Sequence, residues 1–282
     1  MIEVVRPGPL ATVQDLGRPG RAHLGVPRSG AADQRAFRLA NRLVGNPEGA
    51  AGVEVTFGGA ALRFHVRAWI AVTGAPVMMR IDGRPHGMNA PCSVASGAVV
   101  ELDTPTSGLR SYVAVRGGIA VDEVLGSRST DLLSGLGPAP LAPGDRLPIG
   151  SAAGLRHINV DVVPVAAMPE TPILQILPGP RDDWFAHDAL ATLTSTPYEV
   201  TPDSNRVGVR LNGPPLVRAR DGELSSEGVV IGSLQVPPSG LPIIFLADHP
   251  TTGGYPVVAV LASAAVAEAA QLRPGQKLRF RV

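Results

Sequence analysis

Lysine is almost missing from this chain. Of its 25 basic residues only Lys277 is a lysine, and the rest are arginine. A phosphate loop of the form G-x-x-x-x-G-K-[ST] needs its lysine on the phosphates, and no such segment exists. Schiff-base chemistry needs a desolvated lysine in a pocket. Lys277, in "PGQKLRFRV", reads instead as a solvated charge on an edge strand. A biotin acceptor lysine sits between methionines; "PVMMRIDG" around Met78 offers Arg80 and no lysine, so no biotin is expected on this chain. Cys92 is the single cysteine, which excludes an intrachain disulfide and a multi-cysteine metal site and suits a reducing cytoplasm. The six histidines show no i, i+4 pair, so no metal is expected. No serine stands in G-x-S-x-G, so a nucleophile elbow has no support. A formal net charge of +1 gives no broad cationic field for nucleic acid or anionic lipid. The start, "MIEVVRPGPL", lacks the charged region and apolar core of a signal peptide. The longest apolar stretch, 257–267, is broken by Ser263 and is too short to span a bilayer. A cytoplasmic protein is the expectation.

Glycine and proline are plentiful instead: 33 and 28 residues. They favour many short strands joined by tight turns. "IEVVRPGP" at 2–9 returns as "LQILPGP" at 174–180, each an alternating apolar strand closed by a Pro-Gly-Pro turn. Each copy is followed by a glutamate before a strand pattern ("EVTFGG", "EGVVIGS"). An apolar strand comes next ("AWIAVTGAP", "LPIIFLADHP"), then a turn and strand ("ASGAVVEL", "RPGQKLRF"). The ordered landmarks suggest a tandem duplication. The first copy inserts residues 31–46, where Ala36, Leu39, Ala40, Leu43 and Val44 fall at helical spacing after an Asp33 N-cap. Helices are also expected at 183–193 and 263–272. "RSYVAVRGGIAV" at 110–121 and "PGDRLPIG" at 143–150 read as strands, with Gly117-Gly118 marking a bulge or close approach. Residues 151–172 read as one more strand and a Pro-rich linker. The fold class is mainly β: two closed or nearly closed barrels with a few short helices, over residues 1–160 and 161–282.

Between the apolar runs "LPIIFLA" and "VVAVLA" stands "DHPTTGGYP". Thr251 and Thr252 supply hydroxyls. Gly253 and Gly254 permit positive φ and close approach to a ligand, and successive amides there can form an anion-binding nest. Tyr255 completes the loop. A plain structural turn explains the same residues. Asp248 can hold a substrate N–H or act as a base, or be an ordinary turn aspartate bonding its own backbone. Glu227 is the second candidate carboxylate. Ser226, Glu227 and Gln235 flank the preceding strand and line the same barrel mouth if that strand pairs beside 241–248. Asn205-Arg206 offers a charged fork for a carboxylate, or a structural ion pair. Gln14, Asp15 and Arg18 form a polar knot suited to turn stabilisation or contact with a partner.

"GPLATVQDLGRPGRAHLGVPRSGAADQRAFRLANRLVGN" resembles the opening of the KipA, or allophanate hydrolase subunit 2, family. "YVAVRGGIAV", "VLGSRST", "LPGP", "SNRVGVRLNG", "SEGVVIGSLQVPPSG" and "TTGGYP" follow in that family's order, and the resemblance covers essentially the whole chain. It implies two cyclophilin-like β-barrel domains. It also implies a KipI-like (allophanate hydrolase subunit 1) partner and, with a lactam-utilisation subunit, an ATP-dependent 5-oxoprolinase acting on a small amide. ATP would be used by the assembled complex, and this chain alone would be inactive. The resemblance extends to the carboxyltransferase region of biotin-dependent urea carboxylases. KipA itself antagonises KipI, an inhibitor of a sporulation kinase, so a non-catalytic regulator is a further alternative. His249-Pro250 departs from the family's usual residues before "TTGGYP".

Overall fold

The computed structural model describes residues 1–220, 222 and 224–282. The chain is mainly β and divides into two compact units, one holding 1–18, 29–131 and 135–167, the other 19–28, 132–134 and 168–282.

The first unit contains β1 (Ile2–Pro7), β2 (Leu10–Gln14), α1 (Gln34–Leu43), β3 (Gly52–Thr56), β4 (Ala60–Phe64), β5 (Ala68–Gly74) and β6 (Met79–Ile81). It continues with β7 (Arg84–His86), β8 (Cys92–Val94), β9 (Val99–Leu102), β10 (Arg110–Val115) and β11 (Arg146–Leu147). They form a six-stranded sheet in the order β11-β1-β4-β9-β6-β7 and a five-stranded sheet in the order β2-β3-β10-β5-β8. Both sheets contribute to one buried cluster, including Val4, Leu62 and Met79 from the first and Val13, Val53 and Ile70 from the second.

The 31–46 insert folds as expected. The Asp33 carboxylate accepts from the Ala36 amide at 2.9 Å, which caps α1. Phe37, Ala40 and Leu43 are buried against Tyr112 and Ala114 of β10 and Ala71 of β5. The Phe37 and Tyr112 rings meet edge to face at 5.9 Å. Just beyond the helix, Asn46 donates to the Val115 carbonyl at 2.8 Å and accepts from the Gly117 amide at 2.9 Å. The Gly117 backbone approaches Gly150 so closely that a Cβ would collide with the Gly150 carbonyl oxygen. Residues 151–172 hold no strand, contrary to expectation. Three prolines in this stretch remove amide donors that a sheet ladder needs.

The polar knot also has a definite form. The buried Asp15 carboxylate accepts from Gly17 N (2.7 Å), Ser127 Oγ (2.6 Å), Ser129 Oγ (2.5 Å) and Arg128 N (2.7 Å). Arg18, only 1% exposed, donates to the Ser129 carbonyl at 2.5 Å and lies 3.9 Å from Asp131. One carboxylate therefore ties "QDLGR" to "GSRST" across more than a hundred residues of sequence, a turn-stabilising role.

The second unit contains β12 (Ile173–Pro178), α2 (Ala189–Ser195), β13 (Tyr198–Val200), β14 (Gly208–Asn212), β15 (Glu227–Gly228) and β16 (Ser233–Gln235). After these come β17 (Ile243–Phe245), β18 (Thr252–Gly253), β19 (Val257–Leu261), α3 (Ser263–Ala269) and β20 (Lys277–Arg281). Seven strands close into a barrel in the order β12-β19-β16-β17-β14-β13-β20, and β15 and β18 form a separate two-stranded ribbon. The closing pair, β12 and β20, is parallel, with Ile173 opposite Arg279. Period-two alternation buries Leu174, Ile176, Leu278 and Phe280 in the barrel and leaves Ile173, Gln175, Lys277 and Arg279 outside. The helix expected at 183–193 starts later. Asp182–Trp184 is a 3-10 turn, and α2 begins at Ala189.

The repeated landmarks do not fall in equivalent places. β1 is flanked by β4 and β11, both antiparallel, whereas β12 lies between β19 and the parallel β20. "AVVEL" forms β9, beside β4 and β6, not beside β1. Glu54 is buried in mid-sheet on β3, while Glu227 is half-buried in the β15–β18 ribbon. The shared landmark order reflects turn chemistry, since any strand that ends abruptly draws on Pro and Gly.

Tyr198 marks the barrel's dry interior. Its hydroxyl donates to the Pro214 carbonyl at 2.7 Å, its ring meets Phe280 at 6.0 Å, and burial pushes the phenol up to about 12 from 10.0. A phenol is charged only when it loses its proton, and the barrel disfavours that form. The resulting stabilisation is complete below pH 10 and disappears as pH rises through 12. Denaturant melts across this window are expected to show a decline that Tyr198→Phe removes, at a cost of about 1 kcal/mol near neutrality for the lost hydrogen bond.

Candidate functional site

The loop between β17 and β19 starts from a buried ion pair. Asp248 is 0% exposed and Arg206 1% exposed. Arg206 Nε donates to Asp248 Oδ2 and Nη2 to Oδ1, both at 2.9 Å, a bidentate fork. The Leu132 amide adds a third bond to Oδ2 at 3.1 Å. The backbones join too, with Asp248 N donating to the Arg206 carbonyl at 3.0 Å. Asp248 and Arg206 thus hold each other, and neither side chain is presented to a ligand. Asn205 is likewise turned to its own chain: its Oδ1 accepts from Val207 N at 2.8 Å and from Gly208 N at 3.3 Å. The carboxylate fork considered for Asn205-Arg206 is occupied by Asp248. Of the alternatives for these residues, the structural ion pair and turn are what the fold contains.

Beyond Asp248 the chain is clamped at each step. His249 is 8% exposed and stacks on Phe245 at 5.9 Å between ring centres. Thr252 and Gly253 pair with Gly228 and Glu227, and Val229 N donates to the Thr251 carbonyl at 3.1 Å. The Gln235 amide, from the adjoining barrel strand, donates to the Tyr255 carbonyl at 3.0 Å. Val236 N donates to the Pro256 carbonyl at 3.0 Å, returning the chain to the barrel wall. Thr251 is half-buried, and Thr252, Tyr255 and Ser226 are exposed. The fold therefore brings Glu227, Gln235 and residues 251–255 to one rim, buries Arg206 and Asp248, and leaves Asn205 exposed on the turn before β14.

Two details depart from the expectation. Neither Gly253 nor Gly254 lies in the left-handed region, so the nest anticipated from positive φ is not what the glycines provide. Glycine at 253 is favoured by proximity: a Cβ there would push Gln235 Nε2 aside. At Gly254 a Cβ would lie 3.3 Å from the Leu224 carbonyl oxygen. The second detail concerns Glu227. Arg181 grips it with two bonds, Nε to Oε2 at 2.9 Å and Nη2 to Oε1. The Arg181 guanidinium holds the Glu227 carboxyl below its ordinary range, against a smaller opposing effect of burial. A lowered pKa makes a weaker base at neutral pH.

Two arginines escaped the sequence reading. Arg181 directly follows "LPGP", where only the turn drew notice. Arg218, in "PPLVRAR", donates to the Val236 carbonyl at 2.8 Å and stands 5.9 Å from the centre of the Tyr255 ring. No spacing rule links residue 218 to residue 255, so nothing in the sequence signalled it.

The seven-stranded barrel with its rim loop clamped to a ribbon is a mainly β architecture, and comparison with known proteins shows it to be of the carboxyltransferase type. Residues 24–282 match the family described as carboxyltransferase domain, subdomain A and B, and the chain belongs to that family. It is 38% identical to the C-type subunit of 5-oxoprolinase from Escherichia coli (strain K12), over 99% of this chain and 90% of that protein. The corresponding figure for the C-type subunit of the Haemophilus influenzae 5-oxoprolinase is 33% over the same shares. The urea amidolyase of Saccharomyces cerevisiae is 32% identical, but this chain covers only 16% of it. Among solved structures, TTHA0988 superposes with a TM-score of 0.91 at 35% identity, covering 100% of this chain and 55% of that one. The Kluyveromyces lactis urea carboxylase also reaches 0.91 at 32% identity, with this chain spanning 27% of it.

The geometry at the rim sets two expectations. Asp248→Asn leaves the Arg206 guanidinium buried without its charge partner, and removing one member of such a pair costs about 3–5 kcal/mol. Chemical denaturation is expected to show that loss, whereas an unchanged midpoint with lost activity would restore Asp248 as a base. Gly253→Ala displaces the Gln235 amide from the Tyr255 carbonyl. A melting-temperature drop of only a few degrees is expected, because the atom in the way is the end of a flexible side chain, together with a Tyr255 fluorescence change reporting the shifted loop.

Proposed function

We propose that this chain is the C-type subunit of an ATP-dependent 5-oxoprolinase, hydrolysing the ring amide of 5-oxoproline to glutamate within a complex. The observation that carries the reading is the 38% identity to the C-type subunit of a 5-oxoprolinase, which runs nearly end to end in both proteins. The urea amidolyase and urea carboxylase relatives match over a small fraction of their own length. The other subunits proposed are a KipI-like protein and a lactam-utilisation subunit, with ATP consumed by the assembly.

The rim is the proposed point of substrate contact. Thr251 and Thr252 present hydroxyls beside the ribbon, and Tyr255 and Gln235 fix the far end of the loop. The charge that develops on an amide oxygen during C–N cleavage is stabilised by donors placed before the reaction. Glu227, paired with Arg181, serves to hold the ribbon, and Asp248 to hold the loop.

A second reading is carboxyl transfer from a biotinylated partner. It is favoured by the family's description and by the TM-score of 0.91 to the urea carboxylase. Lys277, on the outer side of β20 and without flanking methionines, is not a biotin acceptor in this reading.

Co-expression with the KipI-like and lactam-utilisation subunits is expected to yield a complex that converts 5-oxoproline to glutamate with ATP consumption, while this chain alone does not. Thr252→Ala in that complex is expected to lower kcat by roughly 100-fold if its hydroxyl meets the transition state, equivalent to about 2.7 kcal/mol. A complete complex that turns over urea with a biotin partner but never 5-oxoproline would replace the first reading with the second.

A further inference from the structure

Beside the rim lies a cleft of about 540 Å³, formed by residues 215–218, 220 and 222 on one side and 238–240 on the other. Small-molecule sites commonly fall between about 300 and 1,000 Å³. Leu216 and Pro238 supply apolar surface, and Gly222 and Gly240 bring backbone close. Ser239 contributes an exposed hydroxyl. Two arginines line the cleft and, among the described residues, no carboxylate does.

The two arginines differ in their partners. Arg220 is neutralised by Asp183 at 2.7 Å and sits 6.0 Å from the Trp184 ring centre. Arg218 has no acidic partner among the described residues. One edge of its guanidinium is used structurally, through Nη2 on the Val236 carbonyl, and its plane lies by the Tyr255 ring. Its Nη1 reaches only the Gly222 carbonyl, at 3.5 Å, the outer limit of a hydrogen bond. Its Nε is buried without a hydrogen-bond partner. A guanidinium stays charged at any pH a protein tolerates. A half-buried one that faces a cleft, spends two of its five N–H donors on neutral carbonyls and meets no acidic side chain among the described residues is suited to an anion. Planar, forked donors of this kind suit a carboxylate.

We propose that this cleft binds the carboxylate of a small organic acid through Arg218, with the rest of the ligand directed past Tyr255 toward Thr251 and Thr252. The cleft's chemistry gives the charge of the ligand. Its identity as 5-oxoproline, a lactam carrying one carboxylate, rests on the function proposed above. Arg218 then both recognises the acid and, through its cation–π contact with Tyr255, ties recognition to the rim loop.

The test is calorimetric titration of the intact chain with 5-oxoproline, with glutarate, and with 2-pyrrolidinone, the same ring without the carboxylate. Both acids are expected to bind, and 2-pyrrolidinone at least tenfold more weakly. Arg218→Gln is expected to weaken both acids at least tenfold with the circular dichroism spectrum retained. Ser239→Asp places a repelling charge in the cleft without touching the Val236 or Tyr255 contacts, and is expected to weaken them similarly. It carries the test if Arg218→Gln fails to fold. Binding of glutarate but not 5-oxoproline, with the same dependence on Ser239 and Arg218, supports the cleft and counts against the lactam reading. No binding of either acid, equal binding of 2-pyrrolidinone, or indifference to both substitutions would overturn the proposal.

Discussion

The second unit depends on one buried ion pair. A carboxylate and a guanidinium removed from water are costly unless each is fully bonded. Arg206 and Asp248 meet that condition with a two-bond fork, a backbone bond and the Leu132 amide. The geometry required is narrow, so the pair fixes where β14 begins and where the loop after β17 departs. Everything at the rim follows from that departure point. The ribbon of β15 and β18, the Gln235 bond to Tyr255 and the stacking of His249 on Phe245 all start from a loop whose first residue cannot shift. Asp15 in the first unit has the same logic, with hydroxyls and amides in place of a guanidinium.

Rigidity and reach are divided between different residues. The charged groups with the strongest bonds, Asp248, Arg206 and the Glu227–Arg181 pair, hold backbone in place. The groups left facing outward are hydroxyls, an aromatic ring and one incompletely paired arginine. Such a rim is suited to recognition by shape and by a few directed bonds, with little charge of its own apart from Arg218. Polar side chains that are already fully engaged cannot readily exchange protons with a substrate. In the function proposed, chemistry at this rim relies on positioning and on groups brought by other subunits.

Much of the fold was legible in the sequence because it rests on local signals. Alternation marked β1 and β12, helical spacing with an Asp33 cap marked α1, and Pro-Gly pairs marked the turns. The apparent repeat was misleading for the same reason: local turn signals recur wherever strands stop, and they carry no information on which strands pair. The rim loop was legible as a candidate, since its hydroxyls and glycines stand between two apolar runs. The duties of its neighbours were not. Whether Asp248 is a base or an anchor depends on Arg206, 42 residues away, and whether Glu227 is available depends on Arg181, 46 residues away. Gly253 shows the limit most simply. Its sequence suggested an unusual backbone angle, but its cause is a neighbouring side chain that only the closed barrel brings near.

The parallel pairing of β12 with β20 bears on how the molecule is made. β20 is the last of the seven strands in chain order, yet it lies between β12 and β13, the first two. In the folded barrel the edges of β12 and β13 that face each other are both filled by β20, whose Leu278 and Phe280 point into the core. During synthesis, β12 and β13 therefore wait with unpaired edges until residues 277–281 have left the ribosome. Unpaired edges of apolar strands invite association with other chains, and pairings so distant in sequence form slowly. Nascent chains of this unit are thus exposed to misassembly for almost the whole time taken to translate it, which gives chaperones a defined interval in which to act.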